Sequence, residues 1–277
     1  METNFNDIDI EYTDQDKKTN KKRIVIIGII FFLILILVII LILYKFFKRI
    51  NSNNIDMAKD YDFYIFAINC PKAYCYSLNE TVKPFCFETV KKLEKGKLTI
   101  HGMWPSIKNK TLKEVSYINC NKDKYIEVIE EKNEIFDKMR KYWPSIVHKE
   151  QKNFWSLEYN KHGYCYNIRK KIKPNNYIEF FKEAVRVFED KKLRDIITDL
   201  YGINETYVIN KTKLEEDIKK KLNATIYLSC VHTNDKQYVS EFWFALDLNY
   251  NFTTNKNLYD VGKYKCNDSS NLYLLFD

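Results

Sequence analysis

The spacing of apolar positions along this 277-residue chain changes several times, and each change marks an element. The first apolar run is unbroken: Ile24 to Tyr44 carries no charge. At ~1.5 Å per residue, one helix of that length spans the ~30 Å hydrocarbon layer of a bilayer. The run is too long for the core of an ordinary signal peptide, and no small-residue cleavage pattern follows it. Past a polar stretch the spacing becomes alternating, and "DFYIFAINC" (62–70) and "KLTIHGMW" (97–104) read as strands. It then becomes helical. Asp123 to Tyr142 sets Tyr125, Ile126, Val128, Ile129, Ile135, Phe136 and Met139 near helical intervals and closes at Trp143-Pro144. Asn153 to Gly163 predicts another helix. Tyr177 to Tyr201 predicts a longer one, with Tyr177, Phe180, Phe181, Ala184, Val185 and Phe188 on one face and Gly202 as its stop. Lys213 to Leu222 adds a further helix, and "ATIYLSC" (224–230) and "YVSEFWFALDL" (238–248) read as closing strands. Strands, then helices, then strands predict an α+β domain, an antiparallel sheet with helices packed on it, preceded by one transmembrane helix.

Charge and cysteine usage orient this plan. Lys17, Lys18, Lys21, Lys22 and Arg23 precede the apolar run, against Lys45, Lys48 and Arg49 after it, which favours a cytosolic N-terminus. The seven cysteines (70, 75, 86, 120, 165, 230 and 266) all follow the run, and none has CxxC or zinc-like spacing, so disulfides in an oxidising compartment are expected. Seven Asn-x-Ser/Thr sequons, beginning at Asn79, Asn109, Asn204, Asn210, Asn223, Asn251 and Asn267, also lie beyond it. The chain is therefore expected to be a single-pass type II membrane glycoprotein. Its cytosolic tail is 1–23, its signal anchor 24–44, its tether 45–61, and its lumenal or extracellular domain 62–277. The net charge of +8 suits a polyanion such as nucleic acid or anionic lipid, without choosing between them.

Candidate chemistry begins at "LTIHGMWPS", where a strand ends on His101 close to Trp104. A lone histidine is most often a surface or satisfied core residue. The partner stretch is "FWSLEYNKHGYC" (154–165), where Glu158, Lys161 and His162 fall at i, i+3 and i+4 and share one helix face. Alone, that face reads equally well as a solvated charged surface. Beside His101 it supplies two imidazoles, a carboxylate and an ammonium. Two histidines can take one proton and give another near neutral or mildly acid pH. Lys161 can stabilise charge developing on a phosphate, and Glu158 can orient a donor or accept a proton. With four histidines and no HExxH, a zinc hydrolase is disfavoured. There is no Gly-rich phosphate loop and no G-x-S-x-G elbow. His148 and His232 have no such company in sequence and read as structural or incidental.

"LTIHGMWP" and "FWSLEYNKHGYC" resemble, in order and spacing, the two active-site segments of the ribonuclease T2 family. "KYWPSI" (141–146) resembles the block between them, "YIFAINCPKAYC" the family's first strand, and the Cys230 to Cys266 region its end, so the resemblance covers the domain. It implies an α+β fold and endonucleolytic cleavage of single-stranded RNA without metal or cofactor, through a 2′,3′-cyclic phosphate to 3′-phosphate ends. It makes His101 and His162 the acid/base pair and gives Glu158 and Lys161 the transition state. Trp104 matches the tryptophan near the base-binding site, and Trp155 is a second candidate substrate contact. It pairs Cys120 with Cys165 and Cys230 with Cys266. Cys75 and Cys86 are near enough in sequence to close a small loop, which leaves Cys70 as a buried thiol. The expected partners are single-stranded RNA and, through 24–44, a membrane; the domain is expected to be monomeric.

The chain departs from the family at three places. Leu157-Glu158-Tyr159 stands for the usual His-Glu-Trp, and the missing histidine normally assists phosphate binding. Cys70 stands where a tryptophan is common, and an N-terminal anchor is unusual in a family whose members are mostly secreted or vacuolar. The alternative is an RNA-binding or signalling glycoprotein with weakened catalysis, Leu157 being the first sign of loss.

Overall fold

The computed structural model describes residues 26–45, 61–108, 115–117, 120, 125–202, 206–254, 266–267 and 271–275. The chain forms two units, Met1–Ile55 and Asp56–Asp277. In the first, α1 (Ile26–Lys45) is a 20-residue helix, long and apolar enough to cross a membrane by length and composition, with its side chains exposed throughout.

The second unit is built on a mixed sheet. Its described strands are β1 (Phe63–Asn69), β2 (Thr99–Lys108), β3 (Val115–Tyr117), β4 (Thr206–Asn210), β5 (Ile226–Thr233), β6 (Lys236–Leu246) and β7 (Asn271–Leu275). They run in the order β3-β2-β1-β6-β7-β4, with β5 on the other edge of β6. All pairs are antiparallel except β6 with β7, which run parallel through Gln237 and Tyr238, so the expected antiparallel sheet is corrected there. The helices are α2 (Pro71–Cys75), α3 (Lys83–Val90), α4 (Glu134–Tyr142), α5 (Gln151–Glu158), α6 (Tyr164–Arg169), α7 (Ile178–Asp190), α8 (Ile196–Tyr201) and α9 (Lys211–Leu222).

The two-residue period of β1 divides its side chains between two buried faces. Tyr64, Phe66 and Ile68 enter the main core with Phe136, Met139, Trp143, Phe180, Phe181 and Phe188 from α4, its C-cap and α7. Phe63, Ile65 and Ala67 join a smaller cluster with Trp104, Tyr227, Trp243 and Ala245 on the opposite face. Tyr61, just before β1, is buried in the main core.

Two helices differ from their sequence patterns. Residues 125–131 form no helix, although their apolar spacing is helical. The N–H of Ile126 donates to Asn160 Oδ1 (2.8 Å) and that of Val128 to Ser156 Oγ (2.8 Å), so these donors are committed to side chains of α5 and the turn after it. The helix starts afresh at Asn133, whose side chain accepts from Phe136 N. The long amphipathic run from Tyr177 breaks between α7 and α8, where Lys192 is left-handed (φ 52°), and ends at Gly202 (φ 77°). The disulfides are Cys75–Cys86, Cys120–Cys165 and Cys230–Cys266, and Cys70 is a buried free thiol. Burial, with the nearby Glu241 carboxylate adding to it, pushes that thiol's pKa far up, away from the reactive range.

Candidate active site

His101 and Trp104 are three residues apart, an odd separation that in a regular strand sends side chains to opposite faces. A bulge changes this parity. Ala67 of β1 pairs with Gly102 and Ile68 with Ile100, so His101 is an extra residue in β2. Ile100 and Met103 enter the main core, while the His101 and Trp104 rings meet edge to face at 5.1 Å on the other side. Gly102 permits this: a Cβ there would collide with the Trp104 indole and with Glu158 Oε2. The buried Trp143 donates from Nε1 to the His101 carbonyl (2.7 Å), and Trp155 Nε1 donates to the Trp143 carbonyl (2.8 Å). The "KYWPSI" block thus anchors the bulge. Trp155 is a fully buried core residue packed on Phe136 and does not line the cleft, so its expected role as a substrate contact is corrected.

The second segment is not a plain α-helix. After α5 the chain widens into a π-turn, Tyr159–Gly163, closed by Tyr164 N donating to Tyr159 O, before α6 resumes. Single π-turns of this kind recur at functional sites. External bonds hold this one. Asn160 Nδ2 donates to the carbonyls of Ile126 and Ser156 (both 2.7 Å), Cys120 N donates to the Lys161 carbonyl (3.0 Å), and Cys120–Cys165 crosses behind it. Gly163 lets the turn press against Tyr159 and Phe180, where a Cβ would have no room.

The two segments meet in one cleft of about 650 Å³, lined by His101, Trp104, Glu158, Lys161 and His162 together with Tyr74, Ser240, Glu241 and Trp243. Both imidazoles contact the same indole: His162 lies 5.6 Å from the Trp104 ring. Trp104 Nε1 donates to Glu158 Oε2 (3.2 Å), and Trp243 packs edge-on against Trp104 at 5.2 Å.

Burial raises the Glu158 pKa, since an ionised carboxylate loses its hydration there; the charges of His101 and Lys161 and the Trp104 hydrogen bond only partly offset this. Burial works against protonation of His101. The Glu241 carboxylate, by charge and hydrogen bond, and then Glu158, outweigh burial and the repulsion of Lys161, so His101 titrates above an ordinary imidazole. Among the described residues, no three His, Cys, Asp or Glu side chains converge so as to hold a metal ion.

Glu241, hydrogen-bonded to His101 Nδ1, is a residue that sequence pattern missed. Its signal was a lone carboxylate in the apolar run "YVSEFWFALDL". His232, read from sequence as incidental, lines the outer part of the same cleft with Tyr76, Ser77 and Val231. His148 does not line it. That ring stacks on Phe154 at 6.3 Å, and its pKa is lowered by burial and by the Lys161 charge. Leu157 is half-buried on α5, away from the cleft lining.

Residues 61–266 match the family model described as Ribonuclease T2 family. Intracellular ribonuclease LX of Solanum lycopersicum is 23% identical over 177 residues, covering 62% of this chain and 67% of its own. Ribonuclease S-6 of Nicotiana alata is 28% identical over 203 residues, covering 69% and 83%. Among solved structures, Japanese pear S3-RNase shares the fold with a TM-score of 0.59 at 20% identity, over 77% of this chain and 100% of that one. Human RNase T2 aligns with a TM-score of 0.50 at 16% identity, over 70% and 89%.

Proposed function

The chain belongs to the ribonuclease T2 family and is a T2-type ribonuclease, and from that premise we propose that it cleaves single-stranded RNA by metal-independent transphosphorylation. The observation that carries the reading is the convergence of His101, His162, Glu158 and Lys161 on one cleft around Trp104. The 2′-hydroxyl attacks the adjacent phosphorus as His162 takes its proton. The bond from phosphorus to the 5′-oxygen breaks, and His101 gives that oxygen its proton. A 2′,3′-cyclic phosphate results. Water then opens it with the two histidines in exchanged roles, leaving a 3′-phosphate.

His101 suits the donor's part because two carboxylates favour its protonated form at mildly acid pH. Lys161 balances the charge that grows on the equatorial phosphate oxygens. Glu158, with its pKa raised by burial, retains a proton to higher pH than an exposed carboxyl and can donate a hydrogen bond to the same oxygens. Trp104 lines the cleft wall and is the candidate contact for a base. DNA lacks the nucleophile.

The reading extends to topology. The apolar helix, the excess of basic residues before it, and the sequons and disulfides beyond it support a type II glycoprotein whose ribonuclease domain faces an oxidising compartment.

The test uses the full chain in detergent, incubated with single-stranded RNA and EDTA from pH 4 to 8. Cleavage should persist, leave cyclic or 3′-phosphate ends, spare DNA, and peak below neutral pH. Loss of activity on chelation with recovery on adding zinc or magnesium would overturn the mechanism.

A further inference from the structure

Glu241 is a carboxylate where the strand leaves an ion little solvent. It is 7% exposed, between Val239 and the buried Phe242, Trp243 and Phe244. A charge in such a place is costly unless paired and hydrogen-bonded. Both oxygens are engaged: Oε1 with His101 Nδ1, and Oε2 with Trp243 Nε1, which donates to it at 3.3 Å.

Two bulges frame the first contact. One makes His101 the extra residue of β2. The other lies in the β5–β6 pairing, where Ser229 faces Glu241 and Cys230 faces Val239, so Ser240 is the extra residue. The sheet therefore departs from its regular register on both sides of the His101–Glu241 contact, which spans β1. Trp243, two residues on and hence on the same face, fixes the carboxylate's second oxygen and packs on Trp104 and Tyr227.

Resting on the reading of His101 as a proton-transfer group, we propose that Glu241 is the positioning residue of this site: it holds the His101 ring as the Nδ1–H tautomer, turns Nε2 toward the scissile phosphate, and balances the imidazolium when Nε2 carries a proton. A neutral imidazole donates from one nitrogen and accepts at the other, so a carboxylate on Nδ1 decides which nitrogen serves the substrate. The other groups facing His101 do not duplicate the role. Glu158, from α5, spends Oε2 on Trp104 Nε1. Lys161, from the π-turn, repels the imidazolium. Tyr74, from α2, meets the His101 ring edge to face at 5.8 Å. His162 reaches the same indole as His101, and Cys70, whose thiol feels the Glu241 charge, stays neutral through burial.

The experiment compares the full chain in detergent with Glu241→Gln, Glu241→Ala and each combined with His101→Ala. Glutamine keeps a hydrogen-bonding shape and removes the charge. Glu241→Gln should lower kcat with KM nearly unchanged and move the His101 limb of the pH–rate profile to lower pH. Glu241→Ala should lower kcat further, by on the order of 10²-fold, within the range a lost general acid costs. Either change should add little on top of His101→Ala, because the two residues act as one unit. A Glu241→Gln profile that superimposes on wild type, or a loss that adds in full to His101→Ala, would overturn the proposal.

A second measurement needs neither substrate nor a variant. The chain holds four histidines, so selective ¹⁵N labelling of their rings gives a simple NMR spectrum. His101 should be the Nδ1–H tautomer at alkaline pH and lose its second proton at higher pH than an ordinary imidazole. An Nε2–H tautomer for His101 would defeat the proposal whether or not RNA is cleaved. A wild-type chain inactive on RNA with His101 still Nδ1–H would defeat the ribonuclease mechanism and leave the Glu241 pairing standing.

Discussion

The two halves of the cleft are held in different ways. His101 stands on the sheet, in a bulge flanked by paired residues of β1 and β2, with its carbonyl bonded to buried Trp143. His162 stands on a π-turn whose irregular backbone is tied to its surroundings by the Asn160 side chain, Cys120 and the Cys120–Cys165 bond. A ladder distributes its support over many backbone bonds. The turn concentrates its support in the Asn160 side chain, one backbone bond from Cys120 and one covalent link. The sheet half should therefore tolerate single changes that disorganise the helix half, although both present the same chemistry to one cleft.

The largest expected effects strike both halves alike. His101→Ala and His162→Ala should each lower kcat on RNA by on the order of 10²–10⁴. Lys161→Ala should also be severe, whereas His148→Ala, outside the cleft lining, should be nearly silent. If His148 proves essential and His162 dispensable, the cleft has been assigned to the wrong imidazole.

Breaking the clamp separates the halves. Replacing Cys120 and Cys165 by serine removes a bond between residues 45 apart, which typically costs ~2–4 kcal/mol. Asn160→Ala leaves the Ile126 N–H and carbonyl without their side-chain partner, a loss of about 1–3 kcal/mol. Hydrogen exchange should accelerate across Tyr159–Gly163 and residues 125–128 in both variants, with β1 and β2 protected as before. Equal acceleration in β1 would show that the two halves share one support.

The smallest effect is one of sign. Burial raises the folded-state pKa of Glu158. A carboxyl raised in this way favours folding below its unfolded pKa, and that contribution disappears as pH climbs through the folded value. The raised His101 behaves alike: its contribution is full below the unfolded pKa and lost as pH rises through the folded one. Glu158→Gln abolishes the ionisation. It should raise the melting temperature relative to wild type at pH 7, with the difference shrinking toward pH 4, while kcat falls. A variant less stable than wild type at pH 7 would mean that the attraction of His101 and Lys161 outweighs desolvation.

The chain's own pattern determined the apolar span, the strands at β1, β5 and β6, the helix at α9, and the four residues proposed to carry the chemistry. Each is written in local spacing or in a short run of residue types. Alternation yields a strand whatever lies beside it, and "NKHG" brings an ammonium and an imidazole together within one turn. Tertiary structure decided the rest, because the deciding bonds join residues far apart in sequence. Residues 125–131 have helical spacing and form no helix, since Asn160 and Ser156 take the N–H groups of Ile126 and Val128. Trp155 and Trp104 look equally suited to a base, yet one is sealed in the core and the other lines the cleft. The bulge that turns His101 and Trp104 to one face is a mismatch between the registers of two strands, and a single strand read alone has no register to mismatch. Glu241 lies 140 residues from the histidine it holds, and only the folding of β6 against β1 brings the two together.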